Sequence, residues 1–141
     1  MLKNISPVLN GELLGHLQTM GHGDVLALVD RNFPADSTAQ RLVTLSGLDI
    51  RTVTEAVLSV LPIDTFVEPA VWRMGPVGDE SAVLEVHEDF QRIADAAEGR
   101  AVRIDAVERF EFYRRAREAY LVVATTEDRP YGCFLVTKGV V

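Results

Sequence analysis

The run Val25-Leu26-Ala27-Leu28-Val29 constrains the fold more than any other stretch of this chain. Five consecutive apolar residues without alternation leave no face for water, so a strand here must be covered on both sides. The glycine-bounded turn Gly21-His22-Gly23-Asp24 precedes it and Asp30 ends it. Such a strand belongs in a parallel or mixed sheet held between two helical layers.

The remaining elements alternate as that arrangement requires. Asn10 reads as an N-cap for a helix with Leu13, Leu14, Leu17 and Met20 on one face, and Gly21 stands where a left-handed stop is expected. Thr52-Val53-Thr54-Glu55 has capping-box spacing for a helix that Pro62 stops. Val83, Val86, Phe90, Ile93 and Ala97 form the longest helical stripe, closed by Gly99. Asp105-Ala106-Val107-Glu108 reads as the cap of a helix reaching Glu118. Strands are expected at residues 41–45, 101–104, 120–125 and 133–137, and 66–74 reads as extended, with Pro69 marking an edge or a break. The prediction is one domain over residues 1–141, an α/β fold built as a three-layer α/β/α sandwich around a mixed or parallel sheet. The spacing leaves strand order open.

Composition narrows the function. With 48% hydrophobic and 25% charged residues the chain has an ordinary globular balance, which excludes a disordered or coiled-coil protein. Fourteen basic against 21 acidic residues leave a net charge of −7, which argues against nucleic acid or an anionic membrane as partner. No apolar run approaches bilayer length, and the opening Met1-Leu2-Lys3-Asn4-Ile5-Ser6-Pro7 does not read as a secretory signal. The single cysteine, Cys133, excludes an internal disulfide framework and fits a reducing compartment, so a cytoplasmic protein is expected.

Few residues carry chemical signals. His22 lies between two glycines in a tight turn, and histidine, with an ordinary pKa of about 6.5, both gives and takes protons near neutral pH. A turn histidine without chemical duty is the alternative. Asp30 closes the apolar strand, where ligands collect in open α/β sheets, although it also fits a plain turn before Asn32 and Pro34. Arg109 stands in a first helical turn, against the helix dipole, and has no acidic residue at i+4. The neighbouring Phe110 and Tyr113 are expected to pack, while Glu111 with Arg115 and Arg114 with Glu118 make a solvated ion-paired face. In Tyr131-Gly132-Cys133, Tyr131 offers a hydroxyl, Gly132 a close backbone approach to a ligand, and Cys133 reads as small and buried rather than as a nucleophile. His16, His22 and His87 are scattered, so no metal site is expected, and neither a phosphate loop nor a nucleophile elbow is present.

Together with the opening heptapeptide, these pieces resemble the family of L-fucose mutarotases and D-ribose pyranases, the RbsD/FucU family, along essentially the whole chain. The resemblance is carried by Met20-Gly21-His22-Gly23-Asp24, Asp30, Asn32-Phe33-Pro34-Ala35, Arg109-Phe110-Glu111-Phe112-Tyr113, Arg115-Ala116, Tyr131-Gly132 and Lys138-Gly139-Val140. The arginine-phenylalanine-x-phenylalanine-tyrosine stretch looks like the fucose branch. The resemblance implies a cofactor-free isomerase of a reducing monosaccharide, L-fucose or else D-ribose, or a non-catalytic sugar-binding relative. It implies His22 as proton donor and Asp30, Arg109, Tyr131, Gly132 and Cys133 as sugar contacts. Cys133 departs from the asparagine typical of the family. The resemblance also implies a ring-like homo-oligomer with sites near subunit boundaries.

Overall fold

The computed structural model describes residues 1–141. Six strands form one sheet in the order β2-β5-β1-β6-β3-β4, where β1 is Val25–Val29, β2 Leu42–Leu45, β3 Val71–Met74, β4 Ile104–Val107, β5 Leu121–Thr125 and β6 Phe134–Thr137. Strand β1 pairs parallel with β5, β5 with β2, and β3 with β4. Only β6 runs antiparallel, between β1 and β3. The sheet is therefore mixed, and five strands end at one edge.

Alternation along β1 divides the interior in two. Leu26 and Leu28 face a core of 26 buried residues shared with helices α1 (Gly11–Thr19), α3 (Ile50–Leu58) and α4 (Glu85–Glu98). Ala27 and Val29 face a core of 12 buried residues under α2 (Ala35–Thr38) and α5 (Arg109–Glu118). This is the expected three-layer sandwich, and it explains the unbroken apolar run: both faces of β1 are inside. In the larger core Phe90 of α4 stacks on Phe134 of β6 with centroids 3.9 Å apart. Truncating either ring to alanine costs on the order of 3–5 kcal/mol.

Helix starts follow local chemistry. Asn10 caps α1, its Oδ1 accepting the N–H of Leu13 at 2.9 Å, and Gly99 closes α4 with φ +66°. Other boundaries move. Helix α3 starts three residues before the predicted box, because Asp49 accepts the N–H of Thr52 at 2.8 Å. Helix α1 ends through an extended Met20 rather than a left-handed Gly21; the positive φ of that turn, +87°, falls on Gly23. Residues 105–107 are not a helix start but the body of β4, drawn into parallel pairing with β3, so Glu108 becomes the cap of α5. Strand pairing outweighs a local capping signal here. Extended segment 66–74 is reduced to β3 after Pro69, and β3 is internal rather than an edge. The one-turn helix α2 has no counterpart in the sequence pattern.

Candidate active site

Asp30, Arg109, Tyr131 and Cys133 line one cleft of about 210 Å³ at the carboxyl edge of the sheet, the edge where ligands gather in α/β folds. Asp30, 7% exposed, follows β1 directly. Its Oδ1 accepts the N–H groups of Asn32 and Phe33 at 3.0 and 3.1 Å, which folds the turn. Cys133 lies against this acid just before β6. Burial, and then the charge of Asp30, push its thiol well above its ordinary pKa, so it is a neutral wall and not a nucleophile.

Arg109 is the first residue of α5, and its buried Nε has no hydrogen-bond partner. No carboxylate pairs with it. Its guanidinium lies 4.5 Å from the centroid of Phe110 and 5.9 Å from that of Tyr113. A donor held by ring faces and lacking an acid is placed to bond an oxygen-rich ligand. Phe110 itself is 63% exposed, contrary to the expectation that it packs, because helix α5 turns it outward beside the cleft. Tyr113 lines the cleft, a position that its spacing in the sequence does not signal.

Tyr131 has φ +62°, and its hydroxyl accepts the N–H of Val77 at 3.2 Å. Gly132 behaves differently from its reading as an opening for ligand. A Cβ there would meet Cγ of Glu127 at 3.0 Å and Cγ2 of Val86 at 3.2 Å, so its small size admits protein side chains.

His22 does not join this group. It sits in the turn before β1, at the amino edge of the sheet, while Asp30 sits beyond the strand's other end. Five strand residues alone interpose about 13 Å. His22 has its own partner there. Its Nε2 is 3.0 Å from Oδ1 of Asp64, an acid 3% exposed that also accepts the N–H groups of Thr65 and Phe66 at 2.9 and 3.2 Å. Burial opposes the charge of Asp64, yet the N–H of Phe66 and the contact with His22 hold its carboxyl below the ordinary range. A carboxylate at Nε2 puts a proton on that nitrogen and leaves the lone pair on Nδ1. The ring is 42% exposed and packs edge-on against Phe66, centroids 4.9 Å apart.

The C-terminal strap fixes this second group. Lys138 Nζ donates to the carbonyls of Leu17 and Met20 at the end of α1, and its backbone bonds Gly23 and Asp24, each at 2.9 Å. Gly139 packs so tightly on Asp64 that a Cβ would lie 2.8 Å from its Cα. Sequence reading missed Asp64, which is 42 residues from His22 and carries no motif of its own.

A groove of about 510 Å³ beside α5 is larger than the cleft, but its Arg114 and Arg115 are engaged by Glu111 and Glu118. No group of three or more His, Cys, Asp or Glu side chains is placed to hold a metal ion, and no helix is long and apolar enough to cross a membrane.

The fold and the cleft define an α/β domain that offers an acid, an unpaired arginine and tyrosine hydroxyls to a small polar ligand. The RbsD / FucU transport protein family matches residues 3–141, and the chain belongs to that family. An L-fucose mutarotase of Glaesserella parasuis is 39% identical over 140 residues, covering 99% of this chain and 96% of its own. FucU from Bifidobacterium longum superposes with a TM-score of 0.92 at 33% identity, covering 99% of each chain. The fucose mutarotase of Streptococcus pneumoniae, solved in complex with L-fucose, gives 0.89 at 29% identity, again over 99% of each chain.

Proposed function

We propose that this chain is a mutarotase subunit that interconverts the α and β anomers of L-fucose. The observation that carries this reading is the convergence of Asp30, an arginine without an acidic partner and Tyr131 on one cleft of monosaccharide scale, in a chain whose full-length relatives are L-fucose mutarotases. Ring opening puts a proton on the ring oxygen and takes one from the anomeric hydroxyl. The bond between the anomeric carbon and the ring oxygen breaks, a carbonyl forms, and rotation followed by closure on its other face gives the second anomer. General acid–base catalysis supplies about 10²–10⁴-fold in such steps. Asp30 and Arg109 would fix sugar hydroxyls, Tyr131 and the Cys133 wall would shape the pocket beside Gly132, and Nδ1 of His22 would shuttle the proton.

The position of His22 favours a second copy of the chain as its partner, because its own Asp30 lies beyond the far end of β1. We assign the working site to the contact between subunits of a homo-oligomer. Supporting this, exposed apolar groups flank both halves: Phe66, Val67 and Val140 beside His22, and Val77 and Phe110 beside the cleft. Exposed apolar clusters of this kind mark interaction surfaces. The lone buried cysteine fits a cytoplasmic setting.

Anomer exchange followed by saturation-transfer NMR over a panel of sugars tests the activity. Exchange accelerated most for L-fucose is expected; D-ribose preferred over L-fucose would move the protein to the pyranase reading, and no acceleration on any sugar would leave a binding protein. Mixing His22→Ala with Asp30→Ala subunits tests the shared site. Mixed oligomers should regain activity that neither variant has alone, and a mixture as inactive as its parts would reject it.

A further inference from the structure

Two buried polar side chains behind the cleft have partners that no step of ring opening uses. His87, at the third position of α4, is 3% exposed, and Arg73, in β3, is 7% exposed. Arg73 donates through Nη1 to Nδ1 of His87 at 3.3 Å and through Nη2 to the carbonyl of Ser81 at 3.1 Å. The N–H of Leu84 also donates to Nδ1, at 3.1 Å. A guanidinium and an amide N–H can only donate, so Nδ1 is the acceptor and the ring proton sits on Nε2. That Nε2–H donates to the carbonyl of Tyr131 at 3.0 Å. The neighbours of His87 thus dictate one tautomer.

The bond matters because of what Tyr131 is. A side chain with a Cβ disfavours φ +62°, so surrounding structure must hold it there. His87 grips the carbonyl, and the N–H of Val77 grips the hydroxyl. Gly132, wedged against Glu127 and Val86, fixes the next residue. Capping of α4 accounts only for the contact of Nδ1 with Leu84. It does not account for a bond from Nε2 to a loop 44 residues away. Burial, with the charge of Arg73 adding to it and the Tyr131 carbonyl opposing it, brings the imidazole pKa down to about 4, so the donor keeps a single form through the physiological range.

We propose that His87, locked as the Nε2–H tautomer by Arg73 and Leu84, is a positioning residue that holds Tyr131 in the left-handed conformation presenting its side chain to the sugar cleft. The proposal rests on the reading of Tyr131 as a sugar contact. His87 touches no reacting atom, so its loss falls on KM, while the proton transfer assigned to His22 keeps its kcat.

Saturation-transfer kinetics on L-fucose, with melting temperatures, for wild type, Tyr131→Ala, His87→Leu and His87→Gln provide the test. His87→Leu should raise KM roughly two- to twelvefold, the scale of one neutral hydrogen bond, with kcat little changed. His87→Gln, whose amide can donate to the same carbonyl, should recover most of that loss. Long-range ¹H–¹⁵N spectra of the wild-type protein should show His87 protonated at Nε2 alone between pH 8 and pH 5. A folded His87→Leu with native KM, a glutamine variant no better than leucine, or a proton on Nδ1 would each overturn the proposal. Should His87→Leu fail to fold, the glutamine variant and the wild-type spectrum still decide it. If Tyr131→Ala also leaves KM unchanged, the sugar-contact reading falls and takes this proposal with it. If Tyr131→Ala is impaired and the His87 variants are not, the positioning role alone is rejected.

Discussion

His22 and Asp30 stand at opposite ends of one strand, β1, and the sheet keeps them apart. Each has assembled a separate set of partners: Asp64, Phe66 and the Lys138 strap around His22, and Arg109, Tyr131 and Cys133 around Asp30. On the proposed reading, half of an acid–base site lies at each edge of the sheet. On that reading a single chain carries two incomplete halves, and this division governs how substitutions should behave.

His22→Ala should lower anomer exchange by about 10²–10⁴-fold, the whole contribution of general acid–base catalysis. The fold should survive, because the ring is 42% exposed and contributes little packing. Asp64→Asn should lower exchange less, since it keeps an oxygen near Nε2 but removes the charge that favours a proton there. Exchange measured by NMR beside circular dichroism checks both. A folded His22→Ala that exchanges anomers at the parental rate would remove His22 from the mechanism.

Cys133→Asn should tighten L-fucose binding by roughly two- to twelvefold, because an amide replaces a weak thiol partner. Cys133 is 1% exposed and abuts Asp30, so the added amide must reach the cleft rather than the core. Titration calorimetry reads the affinity. Loss of all sugar binding would show that Cys133 marks a pocket shaped for another substrate.

Removing residues after Thr137 should reduce both assembly and mutarotation. The truncation deletes the Lys138 contacts that hold the end of α1 and the His22 turn, and the Gly139 contact that seats Asp64. It also deletes the exposed apolar Val140 and Val141. Sedimentation with parallel kinetics checks this. A truncated chain that disassembles yet keeps its rate would preserve the oligomer and reject the shared site.

Stability should fall as pH drops from about 6.5 towards 4. In the folded chain His87 resists protonation down to about 4, chiefly through burial, whereas an unfolded histidine takes the proton near 6.5. The unfolded state then binds more protons in this window, so acid favours unfolding. The contribution is on the order of 2 kcal/mol lost by pH 5. Asp89, held below the usual carboxylate range first by its hydrogen bond from Arg129, loses its contribution only at lower pH. Thermal melts of wild type and His87→Gln should therefore diverge between pH 7 and pH 5, with the wild type the more acid-sensitive. Parallel curves would exclude His87 as the titrating group.

The sequence by itself determined the layers and the chemical inventory. An apolar run without alternation must be buried on both faces, and that requirement places β1 inside a sandwich whatever its neighbours are. Asn10, Gly99 and the stripe around Phe90 set helix limits through bonds and contacts within a few residues. The placing of Asp30 at a strand end, and of Arg109 in the first turn of α5, followed from the same local reasoning. Only the tertiary structure decided what meets what. Residues 105–107 became strand rather than helix cap because β3 lay alongside, and Asp64 reached His22 because the C-terminal strap packs beneath it. His22 and Asp30, eight residues apart in sequence, parted because an extended strand advances about 3.3 Å at every residue. Local patterns fix the conformation of a segment through its own hydrogen bonds and side-chain entropy. Long-range contacts depend on sheet order and direction, which no short spacing encodes.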